Sequence, residues 1–270
     1  MDAAFFDLDK TVIDRASVAA FGPTFRKGGL VNRRTVARAV VSQLVFLYLG
    51  AGEHRLTRLR EAILHLTRGW DRDHVRELVR EALLQTVEPI IYAEALALIE
   101  EHRRAGHRVY LVSASPEEIV LPLAELLGAD GAISSRGEVD DHGRFTGELA
   151  FYAYGPHKAE AMRDLAAANG IDLSRSTAYS DSATDLPMLE AVGNPVAVNP
   201  DRPLAKVARE RGWEVRHFTK PTRLRNRVTR TTPVVTSGLA IGGAAVLVWR
   251  HSRRDRAAAR LRPATSGRRA

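Results

Sequence analysis

Two carboxylates stand two residues apart, Asp7 and Asp9, directly after the apolar run Ala3-Ala4-Phe5-Phe6, and the Thr11 hydroxyl follows. Ser113 ends a second apolar run, Val109-Tyr110-Leu111-Val112, while Asp181 and Asp185 follow a third, Thr177-Ala178-Tyr179. Lys158 opens a helical pattern between the last two. A carboxylate pair alone is better explained as an acidic surface turn. In an open parallel sheet, however, all strand carboxyl ends lie along one edge, so groups distant in sequence can converge there. Four crowded carboxylates repel unless a hard cation holds them, and all-oxygen donors suit magnesium, which meets its substrate through phosphate. A lysine point charge and a serine hydroxyl beside a backbone amide supply what the remaining phosphoryl oxygens need. The residue types therefore point to metal-assisted phosphoryl transfer.

Those groups need elements to hold them. Ala3 to Phe6 has the length and unbroken apolarity of a strand buried on both faces. Arg108 to Val112, Ala132-Ile133, Thr177 to Tyr179, Val196 to Val198 and Trp213 to Val215 read as further strands. Helical patterns fall between them: Tyr92 to Arg104 stopped by Gly106, Pro116 to near Gly128, and His157 to Asn169 stopped by Gly170. The alternation predicts an α/β fold on a doubly wound, Rossmann-like parallel sheet. Arg136 to Phe151 alternates around Asp141-His142-Gly143, which predicts a hairpin projecting from that sheet.

Between the first two strands lies a helical stretch too long for a simple crossover. Ser17 to Phe25 is small and apolar, Gly28-Gly29 breaks it, and Thr35 to Leu49 is apolar on several faces. Leu56, Leu59, Ile63 and Leu66 recur at helical spacing, and Asp71 is placed to cap a helix through Val75, Leu78, Val79 and Leu83. The expected organisation is a catalytic core over 1–14 and 87–219, an inserted helical cap over 15–86 and a tail over 220–270. The Val36 to Leu49 run reads first as the core of a small bundle, and second as a surface for membrane or a lipid-like substrate. Arg55, Arg58 and Arg60 could meet an acidic substrate group or form a solvated face.

The 270 residues contain no cysteine, which excludes disulfides, thiolate metal sites and cysteine nucleophiles and suits a reducing cytoplasm. No secretory signal pattern precedes the first strand. The net charge of +8 is uneven: 13 Lys and Arg from Lys220 onward face only Asp255, leaving 27 basic and 31 acidic residues before them. The body is thus near −4 and the tail near +12. A uniformly basic nucleic-acid groove on the body is not expected.

Phe6-Asp7-Leu8-Asp9-Lys10-Thr11, Val112-Ser113, Lys158 and Ser180-Asp181-Ser182-Ala183-Thr184-Asp185 resemble, in order, the four motifs of the haloacid dehalogenase superfamily. With a helical insert straight after the first motif, the chain is similar to the phosphoserine phosphatase-like branch, subfamily IB, over roughly Ala3 to Phe218. The resemblance implies that Asp7 is a nucleophile forming an aspartyl phosphate and that Asp9 is the general acid and base. It implies that magnesium is held by Asp7, the Asp9 carbonyl and Asp181, with Asp185 behind that shell. Ser113, the Ala114 amide and Lys158 would bind phosphoryl oxygens. Taken singly, Ser113 could instead cap a helix, Lys158 could be an ordinary first-turn lysine, and Asp185 could cap the helix through Leu189. The chain departs from phosphoserine phosphatases at two recognition positions. Arg15-Ala16-Ser17 stands where they carry a cap glutamate, and Thr184 stands in place of an asparagine. The hydrolytic set is complete, so the expected substrate is a small phosphomonoester other than phosphoserine.

Thr231 to Trp249 is a run of nineteen uncharged residues with basic flanks, small residues at Gly238 and Gly242, and a terminal Trp249. A helix of about 19 residues just reaches across a ~30 Å hydrocarbon core. The expectation is a membrane-spanning helix over 231–249 that anchors a cytoplasmic catalytic domain to the inner face of the membrane, with membrane lipid as a partner. Its modest apolarity and strongly basic far flank oppose that reading, leaving surface binding to anionic lipid or a solvated tail as alternatives. For the whole chain the alternatives are a lipid-phosphate phosphatase or phosphotransferase and, from another class, an inactive membrane-tethered scaffold.

Overall fold

The computed structural model describes residues 1–31 and 64–219, and its seven-stranded sheet is organised on β1 (Ala3–Asp7). β1 is buried at every position, as its unbroken apolarity predicts. Phe5 stacks on Tyr110 at 5.6 Å between ring centroids, and Phe6 stacks on Tyr179 at 4.3 Å. Alternate residues of a strand face opposite ways, so these two rings fill the core on either side of the sheet, each contributing roughly 2–3 kcal/mol of burial. The described residues fall within one compact unit.

The remaining strands are β2 (Arg108–Pro116), β3 (Gly131–Val139), β4 (Phe145–Phe151), β5 (Thr177–Ser180), β6 (Asn194–Val198) and β7 (Glu214–Arg216). Their order is β4-β3-β2-β1-β5-β6-β7, parallel throughout except for β4. Among the described residues the helices include α1 (Ser17–Ala20), α2 (Gly22–Lys27), α3 (Arg72–Val87), α4 (Ala93–Arg104), α5 (Glu117–Leu127), α6 (Pro156–Asn169), α7 (Leu186–Leu189) and α8 (Arg202–Arg211). Met162 and Ala166 of α6, Met188 and Leu189 of α7, and Leu204 and Ala208 of α8 pack with Phe5 on one face. His102 of α4 meets the edge of Phe6 on the other.

Of the stretch expected to form a cap, 15–31 and 64–86 are described. Asp71 caps α3 by accepting the His74 N–H at 2.9 Å, and Val75, Val79, Leu83 and Val87 form its buried stripe. Phe25 packs against Phe21 and Trp70. A Cβ at Gly28 would press on the end of the Leu78 side chain, so a larger residue there would make that leucine shift. The expectations for Val36 to Leu49, for Leu56, Leu59 and Ile63, for Arg55, Arg58 and Arg60, and for the 231–249 helix lie outside the described residues. Among the described residues no helix is long and apolar enough to cross a membrane.

Two expectations change. The short strand at Ala132-Ile133 is the first part of β3, a nine-residue strand that continues into the hairpin with β4. Only its early section carries buried positions, Ile133 and Ser135, so sequence patterning divided one element into two. The hairpin also does not simply project. Gly69 N–H donates to Phe145 O at 2.8 Å, Phe145 N–H to Trp70 O at 3.0 Å and Arg72 N–H to Gly143 O at 3.0 Å, which ties the hairpin to the segment leading into α3.

Candidate active site

Strand register brings the motif residues together. Asp7 lies opposite Val112 of β2, and Phe6 lies opposite Tyr179 of β5. Ser113 therefore comes one residue beyond the level of Asp7 on one side, and Ser180-Asp181 continues past β1 on the other. Asp7, Ser113, Lys158, Asp181 and Asp185 are all buried.

Lys158, in the first turn of α6, donates through Nζ to Asp7 Oδ1 at 2.7 Å and to Asp185 Oδ2 at 2.8 Å. Ser180 Oγ donates to the same Asp185 oxygen at 2.8 Å. Asp185 therefore orients the lysine. It occupies the position before α7 but makes no capping hydrogen bond there, and so the helix-cap alternative does not hold. Burial works against the Lys158 ammonium, yet Asp7 and Asp185 outweigh it and hold its pKa above the usual lysine value. Burial pushes Asp7 well above the usual carboxylate range; Lys158 opposes this, while Asp185 and Asp181 add to it. Asp181 is pushed to about 7 by burial, with Lys10 opposing and Asp185 and Asp201 reinforcing.

Asp7 and Asp185 thus share one buried ammonium, and Asp181 adds its charge beside Asp7, an excess of two negative charges over that lysine when all three are ionised. That excess, with oxygen donors only, fits a divalent hard cation. Among the described residues no three His, Asp or Glu side chains are gathered as a metal cage. The set the family resemblance implies, the Asp7 and Asp181 carboxylates with the Asp9 main-chain carbonyl, would use only two side-chain carboxylates. Such a set leaves positions for water and substrate.

Asp9 is held quite differently. Lys10 takes a left-handed backbone, φ 65°, at a cost of roughly 1–2 kcal/mol for a non-glycine residue. The chain then folds back so that Leu8 O accepts the Val12 and Ile13 N–H groups at 2.9 and 3.1 Å. Asp9 Oδ1 accepts the Ser17 N–H at 2.7 Å, and Oδ2 accepts the Ser115 hydroxyl at 3.0 Å. Burial raises its pKa, and those bonds partly counter the rise. The Thr11 hydroxyl is buried with no hydrogen-bond partner among the described residues.

Ser113 Oγ accepts the Ser115 N–H at 3.1 Å and is not the cap of α5, whose cap position is Pro116. The register between β2 and β3 slips between Ser113 and Pro116, a bulge of the kind that re-aims side chains beside active sites. Ser135 pins it: its hydroxyl donates to Ala114 O at 2.7 Å and accepts the Ala153 N–H at 3.1 Å.

Sequence reasoning missed Ser17, Ser115, Ser135, Ser180 and Asp201. Asp201 precedes Arg202-Pro203, a legible helix start, and does cap α8 through the Leu204 N–H at 2.8 Å. Its other oxygen accepts the Ala183 N–H at 3.1 Å, and its N–H donates to Asp181 O at 2.8 Å, so the same residue braces the Asp181 loop. Nothing in the local pattern announced that second task. Thr184, one of the departures, serves this loop as well, since Ser182 Oγ accepts the Thr184 N–H at 3.3 Å and lies 3.0 Å from the Thr184 hydroxyl. Arg15 is turned to its neighbour Asp14 at 2.6 Å.

Residues 4–190 match the haloacid dehalogenase-like hydrolase family, and the chain belongs to that family. It is 51% identical over 259 residues to the inhibition of morphological differentiation protein of Streptomyces azureus, covering 93% of this chain and 94% of that protein. A protein of Mycobacterium tuberculosis named as a probable phosphatase is 47% identical over 245 residues, with 91% and 85% covered. A phosphoserine phosphatase of the same organism is 36% identical over 244 residues, with 90% and 77% covered. Among solved structures, a Bordetella pertussis protein of unknown function superposes with a TM-score of 0.69 at 26% identity, covering 80% of this chain and 97% of that one.

Proposed function

We propose that this chain is a magnesium-dependent phosphomonoester hydrolase acting on a small phosphorylated metabolite through an aspartyl phosphate on Asp7. The observation that carries the reading is the buried array Asp7, Lys158, Asp185 and Asp181 at the sheet edge, beside a second carboxylate, Asp9, that this lysine does not hold. The names of the two M. tuberculosis relatives agree with it.

In the first displacement a carboxylate oxygen of Asp7 attacks phosphorus, the bond from phosphorus to the leaving oxygen breaks, and that oxygen takes a proton from Asp9. In the second, a water oxygen attacks phosphorus while Asp9 takes back a proton, and the bond to Asp7 breaks to release inorganic phosphate. Ser113, the Ala114 amide and Lys158 would hold the phosphoryl oxygens, where fixed donors act most strongly in a dry site. Asp7, the Asp9 carbonyl and Asp181 would hold magnesium, which supplies charge neutralisation to the phosphoryl group when bound. Residues 15–86 act as the cap over this edge. The scaffold alternative is disfavoured because every motif carboxylate is in place.

The test is magnesium-dependent phosphate release from a panel of phosphomonoesters, lipid phosphates included, with Asp7→Asn as control. A variant as active as the parent removes Asp7 as nucleophile, and preference for lipid phosphates moves the substrate class. The 231–249 anchor is tested separately: alkaline carbonate should leave the full chain with membranes and release a chain ending near Lys220.

A further inference from the structure

We propose that Ser115 is a positioning residue for Asp9, orienting the carboxylate that exchanges protons with the leaving group and water, and linking that orientation to the first residue of α1. The inference rests on the phosphatase reading above, in which Asp9 is the acid and base.

An ionised carboxylate can only accept hydrogen bonds, so the Ser115 hydroxyl must direct its one hydrogen to Asp9 Oδ2, 3.0 Å away. The Ser115 oxygen accepts in turn from the Ser17 hydroxyl at 2.8 Å. The donor direction Ser17 to Ser115 to Asp9 follows from the acceptor at its end. Meanwhile the Ser17 N–H holds Asp9 Oδ1 at 2.7 Å. Both carboxylate oxygens are anchored, which removes the broad torsional freedom an aspartate otherwise has about its terminal bond. Each oxygen keeps a further lone pair for the reaction. Ser115 is 5% exposed and Ser17 1%, so bulk water does not stand in for a lost hydroxyl.

The two serines serve Asp9 alone among the site carboxylates. Their side-chain hydrogen bonds run to Asp9 and to each other, whereas Asp7 and Asp185 are held by Lys158. Ser115 lies at the end of β2, where the register with β3 slips, and its own N–H is fastened to Ser113 Oγ at 3.1 Å. The phosphate-binding serine and the acid-positioning serine are thus successive polar positions of one strand end.

The consequence is selective by leaving group. kcat/KM reports only steps through phosphorylation of Asp7, where an alkoxide must be protonated but a nitrophenolate leaves without help. Ser115→Ala should lower kcat/KM about tenfold for an alkyl phosphomonoester and by less than about twofold for 4-nitrophenyl phosphate. Ser115→Thr, which keeps the hydroxyl, should return the alkyl value to within about threefold of the parent. Ser17→Ala keeps its N–H and should show the same selectivity at about threefold, and it carries the test if Ser115→Ala does not fold. Equal losses on both substrates, or no loss on the alkyl ester, overturn the role of Ser115. A folded parent that releases phosphate from neither substrate overturns the phosphatase reading instead.

Discussion

Asp7 and Asp9 are two residues apart and chemically identical, yet the fold surrounds them with opposite partners. Asp7 is held by a buried cation and crowded by two other carboxylates. Asp9 is held by neutral donors, a backbone N–H and a hydroxyl. In the first environment Lys158, with a bound cation, would hold the group as an anion against its burial until it bonds phosphorus; the second suits one that gains and loses a proton without leaving a buried charge unpaired. The division of labour lies in the surroundings, not in the residues.

That contrast can be broken at several points. The largest effect is expected from Asp7→Asn, which should lower kcat by at least about 10⁴-fold, measured as phosphate release in saturating magnesium. Next is Lys158→Met, which leaves two buried carboxylates without their cation. It should cost about 3–5 kcal/mol in urea unfolding near neutral pH, and less in mild acid where those carboxyls are protonated. A loss below that of Ser115→Ala would show that the two carboxylates are not held differently after all. Asp9→Asn should reduce kcat/KM on alkyl phosphates by about 10²–10³-fold while leaving stability within about 1 kcal/mol, because no buried cation loses its partner.

The mildest test uses pH. In the metal-free protein the carboxyls of Asp7 and Asp181 are raised above their unfolded values, Asp181 to about 7. Between the ordinary carboxylate range and that value the folded chain binds more protons than the unfolded chain, so stability should fall as pH rises through this window. Magnesium should offset that loss, raising the melting temperature more at about pH 8 than at about pH 5. An equal increment at both pH values would place the ion away from these carboxylates.

Much of this site was legible before any coordinates. Strands buried on both faces read as unbroken apolar runs, so Phe6-Asp7, Val112-Ser113 and Tyr179-Ser180-Asp181 each marked a strand end. What escaped notice depends on contacts remote in sequence. Ser115 looks no different from Ser113, and only the tertiary packing decides which serine faces Asp9. Ser17 lies at the start of a short, weakly patterned helix. Ala132-Ile133 was separated from its own strand because burial ends where β3 leaves the sheet for the hairpin.

The sequence by itself determined the sheet, the edge at which chemistry gathers and the residue types available there, because alternation of apolar runs with helical periods is a local property. Only the tertiary structure decided which partner each carboxylate receives. Lys158 lies 151 residues from Asp7 and Ser115 lies 106 from Asp9, and distances of 2.7 and 3.0 Å between such groups are set by strand register, a bulge and helix packing. Hydrogen bonds form or fail within a few tenths of an ångström, a precision that no pattern along the chain carries.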